Sequence, residues 1–125
     1  MGNKSKGIVR VNGDYALRYT TNALVEMEEE LGMSIQQIIS MFDNGRLGFK
    51  AIRVLVWAGL IHQFDNGDGT YDFTLREAGD LIDEIGLEEM IDKVGDALAA
   101  QFPNETERPS PNREQRRQGV KTEKN

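Results

Sequence analysis

Apolar positions along this chain fall into stripes at helical spacing, preceded by one short stretch that reads as strand. Leu24, Met27 and Leu31 recur at intervals of three and four, as do Ile35, Ile38, Ile39 and Phe42. Leu75, Ala78, Leu81, Ile82 and Ile85 repeat the pattern, and so do Leu87, Met90, Ile91, Val94, Leu98 and Phe102. Between them Ile52, Val54, Leu55, Val56, Trp57, Ala58, Leu60 and Ile61 wrap nearly all round a helix expected over residues 48–62. A helix apolar on every side belongs at the centre of a fold. Gly59 inside it is costly unless another backbone packs close.

The boundaries of these stripes carry cap chemistry. Thr20–Asn22 offer oxygens to start the first helix, and Gly32 ends it. Ser34 with Gln37, and Thr74 with Glu77, each have the spacing of a capping box, and Met33 with Ile38 can form a hydrophobic staple. Asn44-Gly45 and Gly86 are stops, and Pro103 terminates the last helix. Near the start, residues 7–11 and 15–19 are β-prone runs around Asn12-Gly13, the signal for a two-residue hairpin turn. That turn would set Ile8 opposite Leu17 and Arg10 opposite Tyr15, with Ile8, Tyr15, Leu17 and Tyr19 on the inner face. A lone hairpin is marginal, so it must lean on helices.

The expected fold is mainly α (α+β): an N-terminal β-hairpin, then a compact bundle of about five helices, then a disordered tail. One helical domain spans 1–103. Residues 104–125 are Pro- and charge-rich with a lone Val120, too little apolar surface to order the segment.

Charge divides at the same place. Residues 1–103 carry nine basic and seventeen acidic side chains, net −8; residues 104–125 carry six basic and four acidic, net +2. An acidic body is a poor phosphate surface, so no nucleic acid is expected as partner. Glu26, Glu28, Glu29 and Glu30 read as a solvated face of the first helix. The first six residues have charge but no apolar run behind them, so no signal peptide is expected. Residues 52–61 are too short to span a membrane. With no cysteine, disulfides and thiolate metal sites are excluded. The expectation is a soluble, intracellular protein.

No residue set along the chain suits bond-making chemistry. His62 is the only histidine and reads as structural or surface. No nucleophile elbow, Walker loop or dinucleotide glycine pattern occurs. Asp65–Asp72 invites comparison with a calcium loop. With Gly69 at position six, Phe64 falls first and Leu75 twelfth; with Gly67 there, His62 falls first. Neither register supplies the ligands, so this is a polar turn. The expectation is therefore no catalytic residue, no metal and no cofactor. Trp57 reads first as a core aromatic and second as a partner anchor.

The assembled segments, "TTNALVEMEEELGMS", "SIQQIISMF", "IRVLVWAGL" and "FTLREAGDLIDEIGLEEMIDKVGDALAAQF", resemble the tail assembly chaperones of long-tailed phages and gene transfer agents. In that family a "T..AL.ELE..LG.S" start precedes a "VL.AGL" helix and a Gly-Leu-led final helix with an alanine-rich, Phe-terminated end. The resemblance covers about residues 7–103; the turn-rich linker 63–72 is longer than its pattern, and the tail lies outside it. It implies a non-enzymatic protein of the host cytoplasm, absent from the mature virion. Such a protein binds the helical tape-measure protein and helps bring tail-tube protein to it; self-association is also open. An amphipathic partner helix would need apolar residues left over from the core. The expected donors are Met41, Phe42, Met90 and Phe102, which are adaptable or large, with Trp57 as a further anchor.

The alternative is a winged-helix DNA-binding regulator, since "LVWAGLIHQFDNGDGTYDFTLREAGDLI" also reads as recognition helix, wing and following helix. Its wing would set Asp65, Asp68 and Asp72 against phosphates, and its recognition helix offers only Lys50 and Arg53 as cations.

Overall fold

The computed structural model describes residues 7–102. Its elements are β1 (Val9–Arg10), β2 (Ala16–Leu17), α1 (Thr21–Leu31), α2 (Ile35–Asp43), α3 (Phe49–Leu60), a 3₁₀ turn (Ile61–Gln63), α4 (Leu75–Ile85) and α5 (Leu87–Gln101). The fold is the α+β arrangement read from the stripes: one hairpin and five helices. Pro103 and the segment expected to be disordered, 104–125, lie outside the described residues.

The caps form as their chemistry dictates. Thr20 accepts from the Ala23 N–H and opens α1, and Gly32 closes it in the left-handed region at φ 65°. Ser34–Gln37 and Thr74–Glu77 are both complete capping boxes, each side chain satisfying the other residue's backbone N–H. Gly86 does double duty between α4 and α5. Its N–H donates to the Ile82 carbonyl at 2.8 Å, and its own carbonyl accepts from the Met90 N–H at 3.0 Å. A one-residue corner of this kind needs φ 105°, which glycine adopts without strain.

α3 is the axle of the fold. It packs on α1, α4, α5 and β2, and nine of its residues are buried: Ala51, Ile52 and all of 54–60. One hydrophobic cluster joins Leu17 and Tyr19 from the hairpin, Ala23 and Met27 from α1, Ile38 from α2, Ala78 and Leu81 from α4, and Met90, Val94 and Leu98 from α5. The hairpin leans on α3 and α5.

The hairpin register differs from the expected one. Val9 pairs with Leu17 and Arg10 with Ala16, one residue off the Ile8–Leu17 and Arg10–Tyr15 pairing. The cause is Asn12. Its Oδ1 accepts from the N–H groups of Asp14 and Tyr15 at 2.8 and 3.0 Å, while the Val11 N–H donates to the Tyr15 carbonyl. This side-chain-built turn takes three residues instead of two. Leu17 and Tyr19 are fully buried as expected, Ile8 and Tyr15 only half-buried, and Val11 and Ala16 take buried places instead.

Candidate functional site

The linker between α3 and α4 is better anchored than its polar sequence suggests. Asp65 bridges Tyr71 in antiparallel fashion, and the Asp72 N–H donates to the Phe64 carbonyl. Behind this turn the Phe64 and Phe73 rings stack at 4.9 Å, and Tyr15 from the hairpin tilts against both at 6.2 and 6.0 Å. Thr70 hydrogen bonds hold the exposed Asp68 carboxyl below the usual carboxylate range. Just upstream, the Gln63 side chain accepts from the Ala16 N–H, and His62 Nε2 donates to the Ala16 carbonyl at 2.8 Å. The lone histidine thus ties β2 to the end of α3. Among the described residues no cluster of His, Cys, Asp or Glu is placed to hold a metal ion. No helix of the described residues is long and apolar enough to cross a membrane.

The surface that stands out lies at the start of α3. Phe49 is 78% exposed, the most exposed large apolar side chain of the described residues. Gly48 precedes it as an N-cap without a side-chain hydrogen bond. On one side Phe49 borders an apolar depression of about 170 Å³ lined by Leu47, Gly48, Ile52, Leu87 and Ile91. This depression continues, through Leu47, Ile52 and Ile91, into a second one that reaches Phe42 and Gly45. The result is an apolar groove between the α2–α3 loop and the first turns of α5.

On its other side Phe49 borders a polar hollow lined by Arg53, Arg76, Gly79, Asp80, Ile82 and Asp83. The Arg53 stem lies on Gly79, where a Cβ would come within 3.3 Å of its Cδ. Its Nε is buried without a hydrogen-bond partner. A buried, unpaired donor of this kind is unfavourable by about 1–3 kcal/mol.

The residues expected to meet a partner scatter. Phe42 lines the groove and rests on Gly95, where a Cβ would lie 3.4 Å from the ring. Met41 is half-buried on α2 beside it. Met90 is fully buried and offers nothing to a partner: on α5 it points into the cluster, and Leu87 and Ile91 face the groove instead. Trp57 is 8% exposed and sits in the core, its Nε1 donating to the Phe73 carbonyl at 2.8 Å with Tyr71 edge-on to the indole. Phe102 caps the far end of α5, about 16 Å along the axis from Ile91. Leu87 and Ile91 belong to the last stripe but were not among the expected partner residues, and Leu47 and Phe49 fell in no stripe. Phe49 carried one signal, an aromatic in the first turn of a helix whose core positions were already filled.

Comparison with protein-family models, with curated proteins and with solved structures finds no match for this chain.

Proposed function

We propose that this chain is a non-enzymatic tail assembly chaperone that holds an amphipathic segment of the tape-measure protein in the Phe49 groove. The observation that carries the reading is the groove itself. A continuous apolar trough, edged by an aromatic ring standing in solvent, interrupts an otherwise charged surface. Exposed apolar surface on a small domain marks an interaction site, and the trough between a loop and a helix suits helix-in-groove binding. The resemblance over residues 7–103 names the partner class. Delivery of the tail-tube protein, residence in the host cytoplasm and absence from the mature virion belong to the same proposal.

The winged-helix alternative has less support. Its recognition helix would be α3, and α3 shows solvent only Phe49, Lys50 and Arg53. A helix buried on its other faces cannot enter a major groove. Gel shifts on defined duplexes check this: no salt-dependent, submicromolar complex is expected. The chaperone reading is tested by coexpression with the long helical protein encoded beside this chain. Its soluble yield should rise, and a chain ending at Pro103 should retain the effect.

A further inference from the structure

The groove runs along α5. Leu87 and Ile91 line its wide end beside Phe49. Ile91 and Phe42 line its narrow end, where Phe42 rests on Gly95. The two depressions, about 170 and 90 Å³, share Leu47, Ile52 and Ile91. Leu87, Ile91 and Gly95 follow one another at four-residue steps, about 6 Å of rise each. A helix lying along α5 presents its own apolar side chains at that interval and can seat one in each depression.

The two lips of the groove differ in charge. Met90, Val94, Ala97 and Leu98 turn α5 to the core, and Leu87 and Ile91 face the groove. Each residue turns about 100° round a helix, so Glu88 and Asp92 come next and form the outer lip. Both are exposed, and neither makes an ion pair with a described residue; Lys93 is drawn to Glu89, on the other exposed flank. Across the groove the α2–α3 loop offers one cation, Arg46, beside Leu47. Lys50 stands about 200° round α3 from Ile52 and so points away from the groove floor. The hollow behind Phe49 has Asp80 and Asp83 as well as Arg53 and Arg76, and so no net sign. Two unmatched carboxylates therefore edge the α5 side of the apolar trough.

We propose that the helical segment held in this groove is basic along one flank, with Lys or Arg beside its apolar stripe and turned to Glu88 and Asp92. The stripe fills the two depressions, and the flank facing Arg46 is neutral or acidic. Exposed charge contacts contribute little affinity each, so the lip selects among amphipathic helices that the trough alone would accept equally. The proposal rests on the helix-in-groove reading above and adds to it the sign of the partner's flank.

Fluorescence anisotropy of labelled synthetic peptides on the full chain tests it. Three peptides of about twenty residues, long enough to hold a helix, share one leucine stripe. They carry Lys, Gln or Glu along a single flank. The Lys peptide should bind tightest and lose its advantage as salt is raised. In Glu88→Lys/Asp92→Lys its binding should weaken about tenfold, and the Glu peptide should gain by a similar factor. Both positions are exposed, so circular dichroism should match the wild type. Glu29→Lys/Glu30→Lys makes the same change in net charge on the exposed face of α1 and should leave the order of the peptides as it is. A Lys peptide that binds no better than the Gln peptide overturns the proposal and leaves the helix-in-groove reading standing. So does an α1 variant that weakens it as much as the lip variant does. Failure of all three peptides to bind contradicts the proposal and the groove together. A chain ending at Pro103 that binds the Lys peptide far more tightly than the full chain overturns it as well, by assigning the lip to the basic segment 104–125.

Discussion

Gly59 and Tyr19 are in contact: a Cβ on Gly59 would stand 3.0 Å from the Tyr19 Cζ and 2.6 Å from Leu17 Cδ2. Neither neighbour is free to yield. Both are fully buried, and the Tyr19 hydroxyl donates to the Leu55 carbonyl at 2.7 Å. The Arg18 N–H donates to the Gly59 carbonyl at 2.8 Å, so strand segment and helix meet backbone to backbone. Gly59→Ala gains about 1 kcal/mol of helix propensity. The overpacking outweighs it, and a net loss of about 1–3 kcal/mol is expected in urea denaturation. A variant as stable as the wild type would show that the hairpin slides away at little cost.

Trp57 supports the core in two separable ways. Trp57→Ala removes a buried indole and should cost about 3–5 kcal/mol, a large share of the roughly 5–15 kcal/mol a small domain has. Trp57→Phe keeps most of the packing but leaves the Phe73 carbonyl without its 2.8 Å donor, at about 1–3 kcal/mol. Thermal melts of the two variants distinguish the contributions. If Trp57→Ala melts like the wild type, the indole is not part of the core.

Glu26 gives α1 a pH signature. Its folded-state carboxyl titrates above the ordinary value because of burial first and its glutamate neighbours second. A raised acid is favoured in its protonated form. Its contribution is therefore fully present below the unfolded value of about 4.3 and lost as pH rises through the folded value. At pH 7 the charged side chain is a small liability. Glu26→Gln, which keeps an acceptor for the Tyr71 hydroxyl, should raise stability slightly at neutral pH. The gain should fade below about pH 4. Denaturation of both chains at several pH values checks the sign, and a gain that grows on acidification would contradict it.

Local chemistry made much of the architecture legible. Both capping boxes, the Gly32 and Gly86 stops and the wholly apolar α3 follow from patterns within a few residues of one another, and all are present. The hairpin register was not legible from Asn12-Gly13 alone, because the Asn12 side chain competes with the backbone for the turn's N–H groups. The stacking of Tyr15, Phe64 and Phe73 was hidden as well. It joins residues about fifty positions apart, and periodicity reports only one element at a time. The groove was the hardest to foresee. Met90 and Ile91 are neighbours on one apolar stripe, and only the packing of α5 decides that the first is core and the second is surface.

The most direct measurement of the central claim is the soluble yield of the tape-measure protein coexpressed with the wild-type chain or with Phe49→Glu. Phe49 is 78% exposed, so the substitution should leave the melting temperature unchanged. The wild type should raise the soluble yield, and Phe49→Glu should lose most of that effect. A folded Phe49→Glu chain that solubilises the partner as well as the wild type does would contradict the groove as the binding site. A wild type without effect would contradict the chaperone reading itself.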